Sequence, residues 1–324
     1  GNDFRLADDK LEGGRNFANK IWNLSRFVIT NLEGHGGQVS LPDARQRSQM
    51  CLEDRWIMSR LQRLVGEVDR HLNSFQIGEA GQRLHEFVWG EFADWYVEMA
   101  KVRLKAGDSS PLPVLALVLD TSLRLLHPFM PFVTEAAWQN LRRHIAWAEG
   151  EALIVAPWPR PQRTWVDREA EAKTQVVMDV VRAIRNIRAE RGVDPGRYVE
   201  VYLVADGARP VLEDSRPLLE SLARVKQYLV DASSAPDTNV ASTVLAEVQV
   251  IMPLEHLIDR EAERARLTKQ FQAAEAEVGR VEGKLANEAF RAKAPAPVVS
   301  KEEERLVAAR SRLAGLRERL AELN

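Results

Sequence analysis

Two segments near the end of the chain repeat hydrophobic residues at alternating spacings of three and four. The repeated residues are Leu267, Phe271, Ala274, Val278, Val281 and Leu285 in the first segment, and Leu306, Ala309, Leu313, Leu316, Leu320 and Leu323 in the second. This spacing is that of the a and d positions of a coiled coil. Residues 294–297, Ala-Pro-Ala-Pro, should interrupt the helix, and Ser300 with Glu303 should form a capping box that restarts it. An antiparallel coiled-coil arm is therefore predicted over residues 254–324.

Residues 1–150 show helical periodicity almost throughout. Apolar residues three and four positions apart predict helices over residues 8–32, 52–72, 77–104 and about 111–126, and a short fifth helix that follows a kink at residues 127–132 and ends at 143. Ser110 and Pro111 are expected to supply the N-cap and first-turn proline of the fourth helix. The third helix is apolar on more than one face, so it should run through the middle of a helical bundle.

The pattern changes after a proline-rich stretch. Pro157, Pro159 and Pro161 predict a stiff, extended connector over residues 151–165. Beyond it, residues 166–253 should form a small α/β junction module. Its expected elements are a helix over 167–191, a strand over 198–204, a helix over 216–223, and strands over 226–230 and 240–252. The predicted fold is mainly α, with bundle, junction module and arm in that order.

Composition excludes several classes of protein and site. The 324 residues carry a formal net charge of -2, so no global basic field is present. One cysteine, Cys51, excludes a disulfide framework or a multi-cysteine zinc site, and the six histidines show no ligand spacing, so no bound metal is expected. No run of eighteen apolar residues occurs, and no catalytic motif was found. The chain begins with Gly1 rather than Met, which we take as a sign that it is a piece of a longer protein.

One flank of the predicted arm is basic. When the seam is assigned to a and d, the c and g positions collect Arg266, Arg280, Lys284, Lys301, Arg305, Arg312 and Arg319, opposed by Glu277 and Glu322. Folding at about residue 292 would place Arg280 level with Arg305, Lys284 with Lys301, and Arg266 with Arg319. Such paired cations suit a phosphate backbone. The alternative interpretation is a solvated coiled-coil surface whose charge asymmetry arose by chance.

Two further groups are weaker candidates for nucleic-acid binding. Arg15, Asn19, Asn23 and Arg26 line the polar side of the first helix, and Arg55, Trp56 and Arg60 lie near the start of the second. Trp56 beside Arg60 could stack on a single-stranded base. Both patterns also fit an ordinary surface helix and a tryptophan at the edge of a core.

Several stretches resemble one family. Residues 12–23 (EGGRNFANKIWN), 54–57 (DRWI), 91–96 (EFADWY) and 127–132 (HPFMPF) are similar to the anticodon-binding bundle of class I synthetases for valine, isoleucine and leucine. Residues 287–299 (NEAFRAKAPAPVV) resemble the tip of the tRNA-binding arm of the valyl-tRNA synthetase family. The isoleucine enzymes commonly end in a cysteine-ligated zinc module, which a chain with one cysteine cannot build.

The resemblance implies a division of labour. The bundle would bind the anticodon, and the arm, including Arg291 and Lys293 of its tip, would bind the outer corner of a valine-specific tRNA. The family's HIGH-type and KMSKS motifs do not occur here, so the piece alone should be inactive and hold no cofactor, whereas the parent enzyme uses ATP and Mg. A cytoplasmic monomer that binds neither DNA nor membrane is expected. Two alternatives remain open, a coiled-coil scaffold protein and the corresponding part of an isoleucyl or leucyl enzyme.

Overall fold

The computed structural model describes residues 8–205, 207–229, 239–254, 260–287 and 296–322, without the side chains of residues 8–10, 44, 46, 227–229, 260–266, 296–298, 318, 319 and 322. Its contacts divide the chain into two compact units. The first, called the body here, comprises residues 1–235 and 242–252, and the second, called the arm, comprises residues 236–241 and 253–324.

The first part of the body is the predicted helical bundle. Its elements are α1 (Asp8–His35), α2 (Leu52–Asn73), α3 (Ile77–Glu86), a π-helical segment (Phe87–Tyr96), α4 (Val97–Lys105), α5 (Leu112–Leu126) and α6 (Pro131–Leu141). The apolar stripes predicted from spacing form the core, with Ile21, Val28 and Ile57 at most 1% exposed. Each such side chain contributes roughly 1.5–3 kcal/mol relative to an exposed one.

Two local predictions in the bundle need correction. The third predicted helix is continuous but contains the π-helical segment, in which each turn holds an extra residue. The fourth helix starts at Leu112 with Pro111 as its N-cap residue, so Ser110 is not the cap. Ser110 instead accepts a hydrogen bond on its hydroxyl from Nη2 of Arg103, a partner that local sequence rules do not include.

The connector lies against α2. It contains two short 3-10 turns, Leu153–Val155 and Arg163–Trp165, on either side of an extended stretch. The backbone amide of Gln162 donates to Oε1 of Gln62 at 2.8 Å, and the Trp165 side chain is only 4% exposed. The bundle and the residues beyond the connector therefore belong to the same compact unit. The predicted domain boundary at residues 151–165 remains a prediction from the sequence.

The junction module contains α7 (Arg168–Glu190), β1 (Val199–Val204), α8 (Arg209–Asp214), α9 (Arg216–Ala223), β2 (Val225–Leu229), β3 (Val240–Val244) and β4 (Gln249–Pro253). The strands form one sheet in the order β2-β1-β4-β3, with β1 parallel to β2 and antiparallel to β4. The α/β prediction is confirmed, and α8 was not predicted.

The arm consists of α10 (Arg260–Ala286) and α11 (Ala296–Glu322). Leu267, Ala274 and Leu316 form its buried core, and Phe271, Leu313 and Leu320 pack against them, so the predicted seam is confirmed. The predicted capping box is wrong. The second helix already begins at Ala296 with Pro297 in its first turn, where proline is tolerated, so Ser300 lies inside the helix.

Candidate nucleic-acid interface

The polar face of α1 carries an exposed tryptophan that the sequence analysis did not select. Arg15, Asn19, Asn23 and Arg26 are all exposed, as expected for this face. Trp22 lies among them, three positions from Asn19 and four from Arg26, and is 45% exposed. The sequence did contain a signal for Trp22, because it is a large aromatic residue at a helical position where polar residues predominate.

A shallow groove of about 250 Å³ adjoins Trp22 between α1 and α6. Its lining residues are Trp22, Ser25, Arg26, Ile29, Thr30, Glu33, Ala137 and Asn140. The groove thus combines an aromatic ring, a guanidinium group and an amide. These groups can stack on an unpaired base and bind its edge or its phosphate.

The second group of candidates, near the start of α2, is used within the fold. Trp56 is only 4% exposed, so its ring is not accessible to a base, and the predicted stacking role is wrong. Arg60 binds both carboxylate oxygens of Glu91, at 2.7 and 2.8 Å. Arg55 binds Oδ2 of Asp167 through Nε at 2.9 Å. These partners are distant in sequence, so helical periodicity could not reveal them.

Asp167 connects three parts of the body. Its Oδ1 accepts a hydrogen bond from the amide of Ala170 and so caps α7, while Arg47 and Arg55 each approach Oδ2 to 2.8 Å. Burial alone would raise the pKa of Asp167, but these hydrogen bonds outweigh it and lower the pKa to about 2. Its own amide donates to the hydroxyl of Ser59 at 2.8 Å. The carboxylate therefore holds α7, α2 and the segment containing Arg47 together.

A second buried network joins α2 to the π-helical segment and to α4. Nη1 of Arg103 donates to Asp54 at 2.7 Å and to Glu53 at 3.2 Å, and the hydroxyl of Tyr96 donates to Asp54 at 2.6 Å. Burial raises the pKa of both carboxyl groups and of the Tyr96 hydroxyl. Each carboxylate is bound to Arg103, which gives the cluster a structural role in the body.

The basic flank of the arm alternates cations with carboxylates. Lys284 binds Glu302 at 2.6 Å, and Arg305 binds Glu277 at 2.9 Å, so the two helices run antiparallel. Arg280 is 70% exposed, and its guanidinium lies 3.9 Å from Glu277. Between the two helices the flank therefore forms ion pairs, rather than the uninterrupted ladder of cations that the heptads suggested.

The flank nevertheless keeps an excess of positive charge. Among the side chains that the structure describes, Arg280, Lys284, Lys301, Arg305 and Arg312 are exposed on it, against Glu277 and Glu302. The pKa of Glu277 is lowered by its hydrogen bond from Arg305 and by the nearby charges of Arg280 and Arg312, which shows that several cations surround one carboxylate. The other predicted cations lie outside the described parts: Arg291 and Lys293 entirely, and Arg266 and Arg319 in their side chains.

Within the described ranges, no group of three or more His, Cys, Asp or Glu side chains could hold a metal ion. No helix within those ranges is long and apolar enough to cross a bilayer.

Comparison with known proteins gives two family matches. Residues 54–203 match the anticodon-binding domain of tRNA ligase, and residues 259–324 match the valyl tRNA synthetase tRNA binding arm. A ternary complex of LeuRS, tRNA and LeuAMS from Agrobacterium radiobacter K84 has a TM-score of 0.36 and 22% identity, and the match covers 51% of this chain and 18% of that one. That similarity is too low to bear on function.

Similar relatives are valine–tRNA ligases. The protein of Dehalococcoides mccartyi strain 195 is 42% identical over 94% of this chain and 35% of its own length. Those of Carboxydothermus hydrogenoformans and Geobacillus stearothermophilus are 41% and 38% identical, over 95% and 100% of this chain and 34% and 36% of their own lengths. The chain thus spans about a third of the length of these relatives. It belongs to the valine–tRNA ligase family, in which it holds the anticodon-binding domain and the tRNA-binding arm.

Proposed function

We propose that this chain is the tRNA-recognition part of a valine–tRNA ligase, with one contact surface on the body and another on the arm. In the body, the exposed face of α1 binds the anticodon loop. In the arm, the basic flank binds the outer corner of the tRNA. The observation that carries the proposal is the exposure of Trp22 among Asn19, Asn23 and Arg26.

The chemistry of the α1 face fits an unpaired loop. The exposed ring of Trp22 offers a stacking surface, which is worth roughly 1–3 kcal/mol per base. Asn19 and Asn23 carry amides that can both donate and accept hydrogen bonds, and the guanidinium of Arg26 can reach a phosphate or a base edge. Base recognition and charge neutralisation are thus available on one helix.

The chemistry of the arm fits a phosphate backbone. Arg280, Lys301 and Arg312 are exposed beside the two ion pairs of the flank. Each neutralised phosphate releases counterions, so this contact should depend strongly on salt. The flank has no exposed tryptophan among its described residues, which favours backbone contact over base stacking.

The α1 surface is tested by Trp22→Ala in the full chain, with Trp158→Ala as the control because Trp158 is a second partly exposed tryptophan, at 36%. Loss of one stacking contact should weaken binding of the valine anticodon stem-loop about 5- to 150-fold. Fluorescence anisotropy with labelled stem-loops measures the change. Equal affinities for both variants and the unmodified chain would refute the assignment, and equal binding of isoleucine or leucine stem-loops would refute valine specificity.

The arm surface is tested by Arg280→Gln with Arg312→Gln, against Arg310→Gln with Arg317→Gln as the control. Both pairs remove two positive charges from the same hairpin, but the control pair lies on the opposite flank, where Arg310 binds Glu282. The slope of log affinity for tRNA against log salt should become shallower by about 1.5–2 for the first pair. Equal slopes for the two pairs would contradict a contact on this flank.

In the longer protein, these two surfaces position tRNA for attachment of valine, an ATP-dependent reaction in the cytoplasm whose catalytic motifs do not occur in this chain. A coiled-coil scaffold is the alternative from another class. Sedimentation distinguishes them, because a scaffold that pairs through its seam shows a mass that rises with concentration, whereas the proposed recognition part stays monomeric.

A further inference from the structure

An arginine cluster at the end of α7 has no part in the surfaces above. The cluster comprises Arg185, Arg188, Arg191 and Arg224. Arg188 is only 7% exposed, and it donates from Nη1 to the carbonyl of Ala223 and from Nη2 to the carbonyl of Asp194, each at 3.0 Å. It also reaches the carbonyls of Arg224 and Pro195, at 3.3 and 3.2 Å. Arg188 thereby ties the end of α7 to the end of α9 and to the loop that follows α7.

Arg185 is held in a similar way. Its Nε and Nη2 donate to the carbonyl of Leu222 at 3.0 and 2.8 Å, and its guanidinium lies 5.7 Å from the ring centroid of Trp95. Arg182 lies over the same ring at 5.0 Å. Carbonyl oxygens and an aromatic face orient a guanidinium without cancelling its formal charge. The positive charge of the cluster is therefore positioned but only weakly compensated.

In the described part of the chain, three carboxylates near the cluster each have another partner. Asp179 binds Arg182 at 2.9 Å, and Glu98, the acid that attracts Arg185, binds Lys101 at 2.6 Å. Asp194 attracts Arg188, but its Oδ1 accepts the amide of Gly196 at 2.7 Å. The pKa of Arg188 is lowered mainly by burial and then by the positive charges of Arg224 and Arg185.

Arg224 is an exposed member of the cluster with an unusual backbone conformation. It ends α9 in the left-handed conformation, with φ 54° and ψ 51°, where glycine is the favoured residue. A residue with a Cβ at such a position costs about 1 kcal/mol. Its Nη1 lies 3.5 Å from the carbonyl of Gly196, at the limit of a hydrogen bond, and the side chain is exposed. Neither its backbone conformation nor this contact explains an arginine.

From this geometry we infer that the α7 arginine cluster binds phosphate groups of an RNA backbone, as a third contact surface distinct from the α1 face and the arm. The inference rests on the proposed function, because it takes tRNA as the ligand. Guanidinium groups bind phosphate oxygens through two parallel hydrogen bonds. Arg185, Arg191 and Arg224 are exposed, whereas Arg188 is buried and holds the backbone around them. Three exposed arginines fit successive phosphates along a chain better than they fit one small anion.

The test uses the full chain with Arg191→Gln and Arg224→Gly combined. Glycine at position 224 removes the charge and suits the left-handed conformation, and Arg191 is exposed at the end of α7, so the fold should be kept. The control combines Arg209→Gln with Arg216→Gln, which removes two arginines from α8 and α9 that pair with Glu213 and Glu220. Circular dichroism melting checks each variant, and Arg191→Gln alone is the reserve if the double variant does not fold.

Two probes are titrated at several KCl concentrations, a valine tRNA transcript and a 16-base-pair RNA duplex without a loop. We expect the cluster variant to lose about 10-fold in affinity for the transcript and to show a salt dependence shallower by about 1.5–2, while the control changes little. If the unmodified chain prefers the transcript and the cluster variant equals the control, the cluster inference is overturned and the proposed function stands.

The opposite result is also informative. If the unmodified chain binds the transcript no better than the duplex, and the cluster variant weakens both, the cluster binds RNA backbone while the proposed function fails. If the unmodified chain binds neither RNA, both are overturned. The two proposals are therefore separated by the same set of titrations.

Discussion

Replacement of Asp167 by asparagine should destabilise the body by about 2 kcal/mol. The Asp167 side chain is 5% exposed, and its Oδ2 lies 2.8 Å from both Arg47 and Arg55. Asparagine retains an oxygen that can cap α7 at the amide of Ala170, but it carries no charge. Asp167→Asn therefore removes the ion pairs with Arg47 and Arg55 but keeps the helix cap.

The magnitude follows from the lowered pKa. A carboxyl group at about 2 in the folded chain, against about 3.9 when unfolded, corresponds to roughly 2.6 kcal/mol. Part of this shift comes from the hydrogen bond of the Ala170 amide, which asparagine can keep, and the two arginine side chains are 29% and 26% exposed to screening solvent, so the expected loss is about 2 kcal/mol. Because the folded pKa is lowered, this stability is present above about pH 4 and is lost as the pH falls toward 2. At pH 3 the difference between variant and unmodified chain should be about half its value at pH 7.

Urea unfolding followed by tryptophan fluorescence measures this loss in the body, since all eight tryptophans lie at or before Trp165. Asp43→Asn is the control, because Asp43 caps an exposed 3-10 turn through the amide of Arg45 at 2.8 Å and should change stability by less than about 0.5 kcal/mol. Asp167→Ala should lose about 1 kcal/mol more than Asp167→Asn, because it also removes the cap. A loss below about 0.5 kcal/mol for Asp167→Asn, or one that is independent of pH, would refute the reasoning.

Three further changes test the arm and the bundle. Glu277→Gln should raise tRNA affinity and steepen its salt dependence, because Arg305 loses its carboxylate partner, and unchanged titrations would contradict this. Gly279→Ala with Gly283→Ala should stabilise α10 by about 1 kcal/mol each, because a Cβ at either position meets nothing within 4 Å, and a lower melting temperature of the arm would contradict it. Phe75→Gly should stabilise the bundle by up to about 1 kcal/mol, because Phe75 has φ 57°, which glycine adopts more readily, and its side chain is 89% exposed. A lower free energy of unfolding in urea would contradict this.

Periodicity predicted the elements that bury an apolar stripe. The helices of the bundle, α7 and the arm seam follow this rule, because burial of a stripe is encoded within single segments. The π-helical segment, the start of α11 and the role of Ser110 were not accessible in this way. Each depends on backbone geometry or on a partner elsewhere in the chain, as Ser110 does on Arg103.

Trp22 and Trp56 show why exposed site residues are harder to predict than buried ones. Trp22 and Trp56 both lie beside polar residues in amphipathic helices, and sequence alone favoured Trp56 because an arginine follows it by one turn. In the structure Trp56 is 4% exposed and Trp22 is 45% exposed. Tertiary packing decides which aromatic ring remains accessible, and the long-range pair of Arg60 with Glu91 decides which arginine remains available.

The near-neutral total charge means that the proposed tRNA contacts depend on local charge rather than on long-range attraction. The chain has 45 Lys and Arg against 47 Asp and Glu, so its field at a distance is weak and should steer RNA little. Positive charge is concentrated instead on the arm flank and at the end of α7. Glu277 and Glu302 pair with two of the arm's cations and lower the long-range attraction for any polyanion. Affinity should therefore arise mainly after alignment, which favours a folded RNA whose phosphates match these surfaces over an arbitrary one.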